Sequence, residues 1–329
     1  MGAIATGAPT VFVGVDENGL GPRLGPLLVT AVAFEGMSAR EARPRALTSN
    51  DALVGDSKLL ASHADASLGE AWARALVTAL GGDASSPASI VEALSLDPIA
   101  TLQRPCPRDA AGALDAGAAI CWSRTNEQFV ATEAQVAACS ASIERWARRT
   151  RPLRPVSARS VIVCPLRLNE QRAAGVNKLA VDLHAMERLV LAAADARPSA
   201  TVDAVCGKVG GSKGYTRMFG PLGGRLVAIE EETQGRSAYR FPGLGAIAFV
   251  RDADANDALV GLASLVGKYL RELLMRRIVE HLRALGLEEG VELGSASGYH
   301  DPVTARFVDA SALTRRRAKV PDGCFVRTA

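Results

Sequence analysis

The stretch Gly14-Val15-Asp16-Glu17-Asn18-Gly19-Leu20-Gly21-Pro22-Arg23-Leu24-Gly25-Pro26 decides how this chain is read. Before it, Thr10 to Val15 is an apolar, β-branched run, and a second apolar run, Leu27 to Phe34, follows it. Two strands around a tight turn is the natural reading. The first strand ends on two adjacent acids, and carboxylates are the natural ligands of hard Mg²⁺ or Mn²⁺. Glycines in the loop let the backbone approach a ligand closely and present bare N–H groups. The loop is not a Walker A, since no Gly-Lys-Ser/Thr follows. It is not G-x-G-x-x-G either, since its glycines fall at 19, 21 and 25. The plain alternative is an acidic turn whose glycines serve only positive φ.

Downstream, Asp56-Ser57-Lys58 precedes a helical stretch that runs through Trp72 and Leu76. Residues 82 to 110, rich in Gly, Ser and Pro, read as a connector. Ala113 to Arg149 reads as helical. It ends in a basic cluster (Arg145, Arg148, Arg149, Arg151, Arg154), and Pro152 and Pro155 stop the helix. That cluster fits a nucleic-acid backbone grip or, more plainly, a solvated helix face. Strands are predicted at Ser160–Cys164, Thr201–Cys206, Arg225–Glu230 and Gly245–Val250. Between the first two, Asn177–Ala196 is an amphipathic helix with Leu179, Leu183, Met186, Leu189 and Val190 at helical spacing. Asp257 to Leu285 is the strongest helix, with Leu259, Leu262, Val266, Leu270 and Leu273 in its stripe. The tail carries Arg315, Arg316, Arg317 and Lys319 and reads as irregular. The pattern predicts an α/β fold, a mixed sheet flanked by helices. It would occupy 10–290, with a helical insertion at 82–150 and a basic helical or irregular extension at 291–329.

Composition narrows the classes. Of 329 residues, 48% are apolar and 22% charged, which suits a globular chain. Lys plus Arg number 38 against 35 Asp plus Glu, so any polyanion must be met by a local basic patch. Aromatics, at 5%, are too few for a base-stacking platform. The six cysteines form no C-x-x-C and the four histidines no H-x-x-x-H, which argues against zinc and for a reducing, cytoplasmic setting. No apolar run reaches bilayer length, Met1 to Pro9 lacks the features of a secretory signal, and a monomer without membrane contact is expected. Gly2 and Thr6 do fit a short lipidation pattern that chance supplies often.

Two further features carry chemistry. Asp252-Ala253-Asp254-Ala255-Asn256-Asp257 stands directly ahead of the long helix. One acid there is needed as an N-cap, and three exceed that need. A carboxylate outside a helix N-terminus is also kept ionised by the dipole, as a metal ligand requires. Gly298-Tyr299 is the other feature, weaker when taken alone.

Together these pieces resemble the ribonuclease HII family (type 2 ribonuclease H). The opening loop is similar to its G-x-D-E-x-G-x-G-P-x-x-G-P motif, and Asp56-Ser57-Lys58 to its D-S-K element. Asn177-Lys178 with His184-Ala185-Met186 resembles its N-x-x-x-A…A-M helix, Ala263-Ser264-Leu265-Val266-Gly267-Lys268 its A-S-I-x-A-K helix, and Gly298-Tyr299 its G-Y element. The order is kept along nearly the whole chain. The resemblance implies an RNase H-like fold. It also implies a metal-dependent endoribonuclease that hydrolyses the RNA strand of RNA–DNA hybrids, at a ribonucleotide's 3′ oxygen, or acts at single ribonucleotides embedded in duplex DNA. It implies a two-ion Mg²⁺ or Mn²⁺ site in which Asp16, Glu17 and Asp254 are catalytic metal ligands. Gly19 and Gly21 would meet the 2′-hydroxyl, and Tyr299 would stack near the junction sugar. Lys58 and the tail arginines, Arg316 among them, would hold phosphates.

The chain also departs from that pattern. The family has a further aspartate at the end of its middle strand, where this chain offers Cys206 or Gly207. Asp203 points to the opposite face if the lost acid aligns with Cys206. It lies about 13 Å down the strand if the acid aligns with Gly207. A Cys206 thiolate is soft and suits Mg²⁺ poorly. Asp252 is a possible substitute ligand, with Glu230 and Glu232 as further candidates, and Leu20 replaces the family's loop arginine. The alternative function is therefore a catalytically impaired, RNase H-like nucleic-acid-binding protein. A metal phosphohydrolase acting on another nucleic-acid structure is a third possibility.

Overall fold

Alternating apolar residues make β1 (Pro9–Asn18) a strand that buries both faces. Val11, Val13 and Val15 enter one core and Phe12 the other. The computed structural model describes residues 9–37, 66–103, 127–150, 152–288 and 290–328. Along these the chain forms β2 (Leu27–Met37), α1 (Ser67–Ala79), α2 (Pro87–Leu94), α3 (Ile99–Gln103), α4 (Glu133–Ala147) and β3 (Arg154–Val163). Next come α5 (Pro165–Ala173), α6 (Lys178–Asp195), β4 (Thr201–Gly207), β5 (Ala228–Glu232), β6 (Arg236–Phe241) and β7 (Gly245–Val250). The last elements are α7 (Ala253–Asn256), α8 (Ala258–Glu288), α9 (Pro302–Ala310), α10 (Ala312–Arg317) and α11 (Asp322–Phe325).

The strands form one mixed sheet in the order β3-β2-β1-β4-β7-β6-β5. β1 pairs parallel with β4, and β4 with β7, while the other neighbours are antiparallel. The expected α/β class, a mixed sheet flanked by helices, is what is observed. α8 covers one face of the sheet and α6 the other. At Gly14 a Cβ would stand 2.2 Å from the Leu259 carbonyl carbon. Glycine there lets the first turn of α8 lie directly on the β1 backbone, which brings the segment around Asp254 to the end of that strand.

Three apolar clusters hold the layers together, each buried aliphatic or aromatic side chain contributing about 1.5–3 kcal/mol. On the α8 face, Trp72 stacks on Trp146 at 6.0 Å, and Phe34 meets Trp146 edge-on at 5.2 Å. Ile90, Leu94 and Ile143, from within 82–150, bury in this same cluster, so the described part of that segment shares the main core. On the α6 face, Leu183, Met186 and Leu189 meet Val202, Ala204, Cys206 and Tyr215. A smaller cluster of Met275, Ile278, Leu282, Phe307 and Phe325 seats the C-terminal helices on the second half of α8.

Several elements differ from expectation. β3 begins at Arg154 rather than Ser160, because its first half is half-exposed and lacks an apolar run. β6, Arg-Ser-Ala-Tyr-Arg-Phe, was not anticipated, its polar residues weakening the pattern. β5 starts at Ala228, three residues later than expected. The stretch read as a connector holds α2 and α3, and the tail read as irregular holds three short helices. Asp56-Ser57-Lys58, Gly2 and Thr6 lie outside the described residues. No helix among the described residues is long and apolar enough to cross a membrane.

Candidate metal centre

β1 and β4 run parallel and end at the same edge of the sheet, where open α/β folds commonly place their ligands. The pairing Val15↔Cys206 sets Asp16 beside Gly207. α8 then delivers its N-terminal approach over the same edge. The result is a cavity of about 270 Å³ whose lining includes Asp16, Glu17, Gly19, Asp252, Asp254 and Tyr299. Six of the residues singled out in the sequence therefore meet in one place, although Asp16 and Asp254 are far apart along the chain.

The acids ahead of α8 have divided roles. Asp257 is the cap: its Oδ1 accepts from the Leu259 N–H at 3.0 Å and the Val260 N–H at 3.1 Å. Capping is thereby satisfied without Asp254, which lines the cavity from α7. Asp252 also lines it, from a left-handed position at φ 52°. Glu230 and Glu232 do not line it. On edge strand β5, Glu230 pairs with Arg240 at 2.6 Å and Glu232 accepts from the Tyr239 hydroxyl at 2.6 Å.

The geometry also decides which β4 residue faces the acids. Cys206 is fully buried in the α6-face cluster. A Cβ on Gly207 would stand 2.9 Å from Asp16 Oδ1 and 3.3 Å from Glu17 Oε2. The corner without a carboxylate is therefore position 207. Asp203 shares its face but lies four residues back, about 13 Å away.

Burial, first, pushes the Asp16 carboxyl well above the usual carboxylate range. The Glu17 and Asp254 charges add to that rise, while hydrogen bonds from Ser264 and the Glu17 backbone oppose it. A further acid, missed in the sequence, is close enough to this pair to feel their charges. Asp182 of α6 is 0% exposed, and neither of its carboxyl oxygens has a hydrogen-bond partner. Burial, then the charges of Glu17 and Asp16, push it upward too. The signal was present in the helix: Asp182 occupies the stripe formed by Leu179, Leu183 and Met186, where an apolar residue belongs.

All these donors are oxygens, the preference of Mg²⁺ or Mn²⁺, and Asp182 is an orphaned buried acid reached by the charges of Glu17 and Asp16. In kind, the residues fit such an ion. Among the described residues, no three His, Cys, Asp or Glu side chains are close enough together to enclose one as they stand.

The rim is held by cations. Arg271, buried on α8, pairs with Glu272, donates to the Ser297 carbonyl at 3.1 Å and stacks at 4.4 Å on the Tyr299 ring. Lys208 also lines the cavity, and its Nζ donates to the Ser237 hydroxyl at 2.7 Å and the Thr233 carbonyl at 3.1 Å. Gly19, at φ 91°, lies over Arg271, where a Cβ would come 3.0 Å from Nε. The loop itself is clamped by the C-terminal tail. Arg327 donates to the Gly25 carbonyl at 2.8 Å and to those of Gly19 and Pro22, while Leu24 bridges Val326. Arg316 lines neither this cavity nor the next. It is exposed on α10, donating to the Ala312 carbonyl at 3.4 Å. Lys58 lies outside the described residues.

A second cavity, of about 350 Å³, opens on the other flank of the loop. Gly21 lines this one rather than the first, with Arg23, Arg172, Lys178, His300 and Arg327. Among the described residues, no carboxylate lines it. Of the basic cluster, Arg145, Arg148, Arg149 and Arg154 line neither cavity, and Arg148 pairs with Glu144 at 2.8 Å.

No family model matches the chain, and no curated protein matches it. Solved structures do. Bst-RNase HIII in complex with Mn²⁺ is 14% identical, with a TM-score of 0.41 over 98% of this chain and 67% of that one. RNase HII of Archaeoglobus fulgidus, in its complex with PCNA, is 16% identical, with a TM-score of 0.36 over 97% and 94%. Ribonuclease H2 of Pyrococcus horikoshii is 14% identical, with a TM-score of 0.35 over 96% and 92%. At such identities and scores the likeness is remote.

Proposed function

We propose that this chain is a divalent-cation-dependent endoribonuclease acting on RNA–DNA hybrids or on ribonucleotides embedded in duplex DNA. One observation carries the reading. Asp16 and Glu17, at the end of the first strand, share a cavity with Asp254, which the neighbouring cap Asp257 leaves available. The motif resemblance of the opening loop supports it.

In this reading Asp16, Glu17 and Asp254 hold the cations. Bound there, divalent ions supply an activated water and charge stabilisation for a scissile phosphate. Gly19, held in place by the Arg327 clamp, presents its backbone to a ribose 2′-hydroxyl, the group that distinguishes RNA from DNA. Tyr299, braced on Arg271, offers its ring to the neighbouring sugar. Arg23 and Lys178, in the cavity beyond the loop, receive flanking phosphates.

Gly207 favours a second reading, a relative that binds nucleic acid without cutting it. The experiment that separates the two is an assay on an RNA–DNA hybrid, a duplex with one ribonucleotide, and an all-DNA branched duplex, each with Mg²⁺ and with Mn²⁺. Cleavage confined to the ribonucleotide substrates is expected. Tight, salt-sensitive binding without cleavage by either ion favours the binding protein. Cleavage of the all-DNA branch points to a different phosphohydrolase.

A further inference from the structure

Asp182 has no role in folding that its surroundings explain. The other buried acids of the described helices are answered at least in part: Glu187 accepts from the Gly220 and Leu222 N–H groups, and one oxygen of Glu70 from those of Val130 and Ala131, its other oxygen having none. Asp182, five residues before Glu187 on the same helix, has both oxygens bare at 0% exposure. The nearby Tyr215 hydroxyl is spent on the Val209 carbonyl. The charges that reach Asp182 are those of Glu17 and Asp16, both of its own sign. A buried carboxyl among carboxylates either keeps its proton or, when a cation joins them, ionises and binds it.

A second observation is independent of the first. The β4 position that faces Asp16 and Glu17 is a glycine, so that strand brings no carboxylate to them. α6 approaches the same pair from the opposite face of the sheet and brings one.

We propose that Asp182 supplies from α6 the carboxylate that position 207 lacks, and is a fourth acid of the divalent-cation site. This rests on the reading of Asp16, Glu17 and Asp254 as the cation's other holders. It moves the site's centre of charge toward Glu17 and the α6 face. An acid on a helix thus replaces one on a strand.

The test is calorimetric titration of Mn²⁺ into the full chain, with the Mn²⁺-induced rise in thermal midpoint as a second readout. Asp182→Asn keeps the side chain's shape and removes its charge. It should lower Mn²⁺ affinity at least tenfold and shrink the thermal rise, while leaving the metal-free chain at least as stable as before. Adding Gly207→Asp to that variant should recover much of the affinity. Glu187→Gln, on the same helix and outside the site, should bind as the parent does. Should the Asn variant fail to fold, Asp182→Ser carries the same expectation. Parental affinity in Asp182→Asn overturns the proposal, as does an equal loss in Glu187→Gln. If the parent binds no Mn²⁺, the functional reading fails with it. If the parent binds and Asp182→Asn binds equally, only the assignment of Asp182 fails.

Discussion

Gly207, at the end of β4, faces Asp16, at the end of β1, so closely that a Cβ on it would stand 2.9 Å from Asp16 Oδ1. Glu17 Oε2 would be 3.3 Å away. The atoms that must yield are side-chain ends, so a larger residue can enter if they turn. Gly207→Asp in the parent chain should then raise Mn²⁺ affinity about tenfold, a gain of about 1.4 kcal/mol. It should also lower the thermal midpoint of the metal-free chain, since it adds a like charge to the cluster. Titration and melting in chelator check both. Weaker Mn²⁺ binding would mean that position 207 does not face an ion.

Asp254 and Asp257 are three residues apart and should respond oppositely. Asp257→Asn or Asp257→Ala weakens the cap that holds Leu259 and Val260. The alanine variant should cost about 0.5–2 kcal/mol and leave residual cleavage per folded molecule. Asp254→Asn should leave the melting curve nearly unchanged and reduce cleavage at least a hundredfold. A normal rate in Asp254→Asn would leave that residue outside the chemistry.

How much of this was legible in the sequence depended on how local each signal was. The opening hairpin and its acids were, because a strand, two carboxylates and a glycine turn are contiguous. Asp254 was singled out by the excess of acids ahead of the long helix and by the family resemblance, which implies a ligand there. The choice between Cys206 and Gly207 was not legible. A one-residue change of register turns every side chain of a strand to the other face, and only the pairing Val15↔Cys206 fixes it. Asp182 was hidden because a single acid scarcely disturbs the pattern of an eighteen-residue amphipathic helix. Arg327 went unnoticed beside the denser run of arginines at 315 to 317, although it is the tail residue that reaches the glycine loop.

The raised carboxyls give the metal-free chain a distinctive pH dependence. Burial and neighbouring acids raise Asp16 and Asp182 in the folded state, whereas unfolded aspartate titrates near about 3.9. Between those limits the folded chain holds more protons than the unfolded one, so stability falls as pH rises. Their contribution is complete below about pH 4 and is lost as pH climbs through the raised folded values. In chelator, the midpoint of the parent minus that of Asp182→Asn should therefore decrease from acid toward neutral pH. Mn²⁺ should reverse the trend, because ligands must ionise to bind it. A difference that grows with pH would contradict the assignment of burial and repulsion as the cause.

The cation-lined cavity beyond the loop should act through phosphates. Arg23→Ala and Lys178→Ala should each weaken binding of a ribonucleotide-containing duplex and reduce the slope of log K against log salt by about 1. Cleavage at saturating substrate should be little changed, since neither residue lines the acidic cavity. Fluorescence anisotropy over a salt series measures the slope. A parental slope in both variants would remove that cavity from the substrate path.

The buried pair of Arg277 and Glu127, with side chains 3% and 7% exposed, ties α8 to the segment before α4. Glu127→Ala leaves the guanidinium buried without its carboxylate, and should cost about 3–5 kcal/mol. Denaturant titration reads the loss. A cost below about 1 kcal/mol would show that the pair is solvated in solution.

The most direct measurement is the rate of cleavage of a duplex carrying one ribonucleotide by the parent chain and by Asp16→Asn, with binding followed in parallel. The account predicts cleavage that requires Mg²⁺ or Mn²⁺, is abolished in Asp16→Asn, and is lost without much loss of binding. An unchanged rate in Asp16→Asn, or no cleavage by the parent with either ion, would contradict it.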